Sequence, residues 1–117
     1  MLCLCSAYTP VSTGADVAEV TAPYDPADGV TSITWNLRWI GLRVQTPGGA
    51  PAITVEKSTA VGAFSATNVG TVTLGAGAAE ATATAGLGTV ASGNKLRFNV
   101  GVLGTASNWT VLVELGR

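Results

Sequence analysis

The sequence predicts an all-β protein, an antiparallel two-sheet sandwich of about eight short strands with an extended arm at its N-terminus. Apolar and polar residues alternate with a period of two in several short stretches, which is typical of half-buried strands. Glycines and prolines, 15 and 5 in number, separate these stretches as turns between strands require. Only residues 78–85 are rich enough in alanine for a helix, and their threonines and flanking glycines disfavour one.

The clearest alternation lies in residues 92–117, which predict two strands joined by a polar turn. The first strand alternates around Phe98 and the second around Trp109, so that each places its apolar side chains on one face. Residues 104–108, with the sequence GTASN, are turn formers. We expect this hairpin to form the centre of the fold.

The N-terminal part of the chain predicts a division between residues 1–16, an extended arm, and residues 17–117, the sandwich. Pro10 and the small polar residues after it disfavour a helix in the arm. The sandwich then begins with a short predicted strand and a tight turn, residues 17–22 and 23–29.

Residues 30–46 form the longest predicted strand, and the alternation changes phase within it. Trp35 and Trp39 are four residues apart, so we expect both on one face of the sheet with Arg38 beside them. The last four apolar residues before Ile40 are at odd-numbered positions, and from Ile40 onward the apolar residues are at even-numbered positions. A slip of one residue predicts a bulge, or a corner at which the chain passes to another sheet.

The rest of the chain predicts further short strands. They are expected at residues 52–57, 69–74 and 78–85, with a loop at 86–93. The pattern of residues 58–68 does not decide between a loop and a segment with a short strand at 63–66. From these residues alone the sandwich is either a jelly roll or immunoglobulin-like. The Cys–Trp–Cys spacing of an immunoglobulin domain is absent from the sequence.

Charge and composition indicate which kinds of partner the chain is expected to have. Six basic and seven acidic residues give a net charge of −1, and the basic residues are scattered, so we expect no nucleic-acid partner. No apolar run approaches the roughly 18 residues of a membrane span, so we expect no membrane partner. A mean hydropathy of +0.41 with so few charges predicts a surface that other subunits cover.

Residues that would carry catalysis or bind a metal are scarce. The sequence has no histidine, which excludes the imidazole general base and most metal sites. Asp25 and Asp28 are expected to make side-chain-to-backbone bonds in their turn, and the glutamates are isolated in strands. We therefore predict a protein that is not an enzyme and has no cofactor or bound metal.

Cys3 and Cys5 are the only cysteines. On an extended strand their side chains point the same way about 6–7 Å apart, which is too far for an easy disulfide. Without histidine they do not complete a zinc site. We predict free thiols and, because the N-terminus lacks the pattern of a signal peptide, assembly in a reducing cytoplasm.

Four segments of the chain resemble small jelly-roll domains of tailed-bacteriophage structural proteins. They are IGLRVQTPGGAPAITVEKS (residues 40–58), VTLGAG (72–77), VASGNKLRFNVGVLG (90–104) and NWTVLVELG (108–116). Each segment carries little information, and their order and spacing make the resemblance. Asn94 stands where the family usually has aspartate, and both residues cap a turn.

The resemblance implies a virion protein with a jelly-roll fold and no catalytic residues, of the capsid decoration (cement), head fibre or tail type. Our preferred interpretation is a decoration protein that binds the major capsid protein on the outer head surface, with copies of itself as a homotrimer. The alternative is a tail, baseplate or fibre component that binds host-surface glycan through Trp35, Trp39 and Arg38.

The partner contacts are predicted on the arm and on the strand that contains the first two tryptophans. The residues concerned are Leu2, Leu4, Tyr8, Trp35, Arg38 and Trp39. For Trp35 and Trp39 the ordinary alternative is packing in the core or at a subunit interface, because Ile33 and Leu37 are expected on the same face.

Overall fold

The structure is a computed structural model that describes residues 2–8, 14–15 and 20–117, with the backbone alone described up to Val20. The three N-terminal strands are β1 (Leu2–Tyr8), β2 (Gly14–Ala15) and β3 (Val20–Thr21). Seven strands follow: β4 (Thr34–Thr46), β5 (Ala52–Ser58), β6 (Thr67–Thr73), β7 (Glu80–Ala83), β8 (Thr89–Ala91), β9 (Lys95–Val102) and β10 (Ser107–Gly116). No helix occurs in these described ranges.

The strands form two antiparallel sheets. In the first sheet β1 pairs with β10, β10 with β4, and β4 with both β7 and β8. In the second sheet β2 and β3 pair with β9, β9 with β5, and β5 with β6. β7 and β8 pair with different parts of β4, and β2 and β3 pair with different parts of β9. Each of these two pairs of short strands therefore fills one strand position, and the ten strands occupy eight positions in the two sheets. This strand order is that of a jelly roll, so the predicted fold class is confirmed.

The core lies between the two sheets and is built from alternate residues of their long strands. On β10, Trp109 is 1% exposed and Val111 and Val113 are 0% exposed. The indole N–H of Trp109 donates to the backbone oxygen of Ala106 at 3.0 Å, which satisfies its one polar atom inside the core. The two strands predicted in residues 92–117 are confirmed as β9 and β10, but the prediction that they form a hairpin is wrong. β9 pairs within the second sheet and β10 within the first, so the turn between them carries the chain from one sheet to the other.

The structure decides one open segment and corrects one local prediction. Residues 63–66 do not form a strand, because the hydroxyl of Ser58 accepts backbone hydrogen bonds from Ala60 and Ser65 and folds the chain into a loop. The loop predicted at residues 86–93 contains β8. Val90 in β8 is fully buried and pairs with β4, so one apolar residue is enough to extend the sheet there.

The predicted arm lies only partly in the described residues. Its residues 2–8 are extended as β1, which forms one edge of the first sheet and runs antiparallel to β10 from Leu115 to Trp109. The predicted division between 1–16 and 17–117 falls among residues 16–19, which lie outside the described residues. The side chains of Cys3 and Cys5 also lie outside them.

Candidate functional site

A bulge in β4 decides which of its side chains reach the surface. Along the pairing of β4 with β10, Trp39 is opposite Glu114 and Leu37 is opposite Leu115, which leaves Arg38 without an opposite residue. One extra residue reverses the alternation of the strand. Leu37 therefore faces the core and Trp39 faces outward. The bulge that the phase change in the sequence predicted is confirmed.

Trp35 and Trp39 consequently lie on opposite faces of the sheet, and the prediction that they share a face is wrong. Trp35 is 2% exposed, and its indole N–H donates to the backbone oxygen of Pro23 at 2.8 Å. Trp35 is a core residue. The extra residue at Arg38 interrupts the two-residue alternation of side chains, so Trp35 and Trp39 do not share a face although they are four residues apart.

Arg38 does not join Trp39 in a common site. It is exposed, and its guanidinium donates to the backbone oxygen of Arg117 beside the end of β10. A Cβ atom on Gly116 would lie 2.7 Å from Nε of Arg38, so the arginine side chain lies against that glycine.

The predicted contact residues of the arm lie on β1. Leu2, Leu4 and Tyr8 are opposite residues of β10, namely Leu115, Val113 and Trp109. Their side chains lie outside the described residues, so their predicted role as partner contacts stays a prediction.

The side chain of Trp39 lies against Gly41, its neighbour on the outer face of the first sheet. A Cβ atom on Gly41 would lie 2.5 Å from Cζ3 of Trp39 and 3.3 Å from Cε3. The Cζ3 edge of the indole therefore occupies the space that a side chain at this position would fill, and Gly41 is buried despite facing outward. At its other edge the indole N–H donates to Oε2 of Glu114 on β10.

Beside this ring the sheet forms an open groove of about 570 Å³. Its outward-facing lining comes from β4, β7 and β10 and consists of Trp39, Gly41, Arg43, Glu80, Thr82, Thr110 and Leu112. The register places these residues in rows across the sheet. Leu112, Gly41 and Thr82 form one row, and Thr110, Arg43 and Glu80 form the next.

The groove combines an apolar end with a charged end. Trp39 and Leu112 form the apolar end, and exposed Arg43 and Glu80 form the charged end. Within the described part of the chain, Arg43 makes no ion pair. Its guanidinium donors are therefore available to a ligand.

The outer face of the second sheet differs, because its polar groups bind one another. Glu56 accepts from Nε of Arg97 at 2.9 Å and from Nδ2 of Asn99 at 3.2 Å. The guanidinium carbon of Arg97 lies 3.9 Å from the ring centre of Phe64. These groups are occupied within the molecule, so the groove beside Trp39 is the stronger candidate for a binding site.

The acidic residues of the 23–29 turn behave as predicted. Asp25 Oδ1 accepts from the backbone N–H of Ala27, and Asp28 Oδ1 accepts from those of Val30 and Thr31, each at 2.9 Å. In the described ranges no group of three or more His, Cys, Asp or Glu side chains is placed to hold a metal ion. No helix of suitable length and hydropathy for crossing a membrane occurs there either.

Comparison of the chain with models of protein families, with curated proteins and with solved structures finds no match.

Sequence reasoning identified Trp39 but missed the residues around it. Gly41 and Arg43 share its face at a spacing of two, and that alternation was a usable signal once the strand had changed phase. Glu80 and Thr82 come from β7, and no local pattern indicates that β7 lies beside β4.

Proposed function

We propose that this chain is a non-enzymatic structural protein of a tailed-bacteriophage virion, which decorates the outer surface of the capsid and stabilises the shell. The four segments that carry the resemblance correspond to β4–β5, the end of β6 with its turn, β8–β9, and β10. They are thus the strands and turns of one jelly roll, which supports reading them as pieces of a single domain.

The observation that carries the proposal is the edge of the first sheet. β1 is seven residues long, with the sequence LCLCSAY, and contains no charged residue and no proline. Proteins that remain monomeric usually protect a strand edge with charges, prolines or shortness, because free N–H and C=O groups there pair with other chains. An unprotected edge of this kind is suited to a permanent contact with another subunit.

The proposed partners are the major capsid protein and further copies of this chain as a homotrimer. Alanine and valine supply 18 and 14 of the 117 residues, so much of the apolar content consists of small side chains. Each small side chain buries little apolar area, at about 25 cal/mol per Å². Contacts with neighbouring subunits would add the stability that such a core lacks.

The edge contact can be tested with adjacent proline substitutions in β1. In an antiparallel pair, neighbouring residues direct their N–H groups alternately toward the partner strand and away from it. Of Leu4→Pro and Cys5→Pro, one therefore removes a hydrogen bond to β10 and the other removes only an outward N–H group. Thermal unfolding identifies the second variant, because it keeps the melting temperature of the unmodified chain.

The readout is binding to phage heads that lack this chain, measured by co-sedimentation. We expect the variant that keeps its melting temperature to bind heads at least about tenfold more weakly, because a proline blocks pairing at the edge. If this variant binds heads as tightly as the unmodified chain, the edge of β1 is not the docking surface.

A second candidate is a tail, baseplate or fibre component that binds host-surface glycan. The observation that favours it is the groove beside Trp39, since clefts with an aromatic wall and a few polar groups are typical of small-ligand sites. In this version Trp35 and Arg38 have no part, because the first is buried and the second lies beside Arg117.

A further inference from the structure

We propose that the groove on the outer face of the first sheet is a binding site for a neutral saccharide, in which Trp39 is the stacking platform and Arg43 and Glu80 bind the hydroxyl groups. This inference does not depend on where in a particle the chain resides. It concerns the face of the sheet, whereas the capsid contact proposed above concerns the edge strand β1.

The platform follows from the placement of the indole. The C–H face of a pyranose ring is apolar and packs on the face of an aromatic ring, which carries negative charge density. The Cζ3 edge of the Trp39 ring lies against Gly41, where a Cβ atom would lie only 2.5 Å from Cζ3. The indole lines the groove, so it offers an aromatic wall against which the apolar face of a sugar can pack.

The platform is also fixed before any ligand arrives. Glu114 accepts the indole N–H from the neighbouring strand, and the Cζ3 edge of the ring lies against Gly41. A side chain that is already held in place loses little conformational entropy when a ligand binds, which favours affinity.

The polar residues stand one row beyond the platform. Arg43 is two residues along β4 from Gly41, which corresponds to about 6.6 Å on a strand and to the width of one sugar ring. Thr110 and Glu80 flank Arg43 on the neighbouring strands. This row offers guanidinium donors, a carboxylate acceptor and a hydroxyl, which match sugar hydroxyls that both donate and accept.

The charges of the groove favour a neutral ligand over an acidic one. Arg43 and Glu80 are directly opposite across β4 and β7 and carry opposite charges. The third charge, on Glu114, is negative and already accepts the indole N–H. An anionic sugar would find at most one cation with two carboxylates near it, so a neutral pyranoside is the better complement.

The test uses the three indole N–H signals of the full-length ¹⁵N-labelled chain in two-dimensional NMR spectra. The probes are methyl pyranosides and linear oligosaccharides of glucose, galactose, mannose and N-acetylglucosamine. We expect at least one to shift the Trp39 signal in a saturable manner, with a dissociation constant on the order of 1 mM. The signals of Trp35 and Trp109, which are buried, should move much less.

Two arginines of the same strand provide matched variants. Arg43→Ala removes donors from the groove and should weaken saccharide binding about tenfold, the usual effect of losing a hydrogen bond to a charged group. Arg38→Ala removes another exposed arginine, which contacts Arg117 instead, and should leave binding unchanged. Both variants should give dispersed spectra because neither side chain is buried.

Gly41→Ala tests the platform itself, since the added Cβ atom displaces the indole while leaving it in the protein. We expect the saccharide-induced shift to be lost in this variant, provided that its spectrum shows a folded chain. The proposal is overturned if no probe shifts the Trp39 signal at about 10 mM, a concentration well above the expected constant. It is also overturned if Arg38→Ala weakens binding as much as Arg43→Ala, or if the Trp39 signal shifts with protein concentration alone, which would indicate a second copy on this face.

Discussion

At the scale of single residues, Ser58 is the buried polar side chain of the described part of the chain, at 1% exposed. Its hydroxyl accepts the backbone N–H of Ser65 at 2.9 Å and that of Ala60 at 3.3 Å. Ser58→Ala leaves both donors without this acceptor, so we expect it to destabilise the protein by about 1–3 kcal/mol. Chemical denaturation measures the change in unfolding free energy.

Ser65→Ala is the matched control for this substitution. Ser65 contributes its backbone N–H, which alanine keeps, and its side chain is exposed. Its unfolding free energy should therefore stay within about 0.5 kcal/mol of the unmodified chain. Equal losses in the two variants would show that the Ser58 hydroxyl does not hold the loop.

Asp28 gives the turn at residues 23–29 a dependence on pH. Hydrogen bonds from the Thr31 hydroxyl, and then from the backbone N–H groups of Thr31 and Val30, lower the pKa of Asp28 from 3.8 to about 2. Because folding lowers this pKa, the stabilisation is complete above pH 3.8 and is lost as the pH falls toward 2.

We therefore expect the melting temperature to fall in this acidic range, and Asp28→Asn to remove part of that fall. Asparagine does not titrate, so its contribution is the same at both ends of the range. The measurement is a series of thermal melts of both chains from about pH 5 to pH 2. Identical pH profiles for the two chains would contradict the role assigned to Asp28.

Residue-level prediction from the sequence succeeded where one local rule decided the outcome. The turn aspartates bind backbone groups as their spacing indicated, and the phase change in β4 was visible in the order of its apolar residues. The position of the bulge was not visible. Placing it at Arg38 requires the register of β10, and that position alone separates Trp35 from Trp39.

At the scale of elements, the approach of β6 to β4 depends on Gly70. A Cβ atom there would lie 2.6 Å from Cδ1 of Ile40 and 2.6 Å from Cδ2 of Leu87. Ile40 is fully buried in the core and Leu87 is partly buried against it, so Ile40 in particular has little free space into which it can move. Gly70 therefore permits close packing of the two sheets at this point.

We expect Gly70→Ala to destabilise the protein by about 1–3 kcal/mol, the usual effect of overpacking a core. Gly75→Ala is the control, since its added Cβ atom would have its nearest neighbour, Cβ of Ala78, at 4.0 Å. Urea denaturation of the two variants measures the difference. A Gly70→Ala chain as stable as Gly75→Ala would mean that the sheets separate easily.

Among the elements, the long strands were predictable from sequence, and of the short ones β7 was predicted within residues 78–85 whereas β8 was missed. β4, β5, β9 and β10 each contain several alternating apolar residues, so their period of two was visible. β8 has three residues and one buried side chain, which is too little for a periodic signal. Such a strand exists because β4 offers it a pairing partner.

At the scale of the whole molecule, the sandwich followed from strand number and spacing, whereas the choice of jelly-roll order came from the resemblance. Pairing between distant strands, such as β1 with β10, leaves no trace in any local window. The candidate site was predictable only in part, for the same reason. Trp39 was predicted as a contact residue, but the groove beside it is lined by β4, β7 and β10, which become neighbours only in the folded sheet.

The central claim is that this chain is a structural protein of a virion head, and a copy count tests it most directly. Tailed particles that contain the chain would be separated into heads and tails, and the chain quantified in each fraction by mass spectrometry. The account predicts many copies on the heads, in a fixed ratio to the major capsid protein. Its absence from both fractions, or a few copies confined to the tails, would contradict the account.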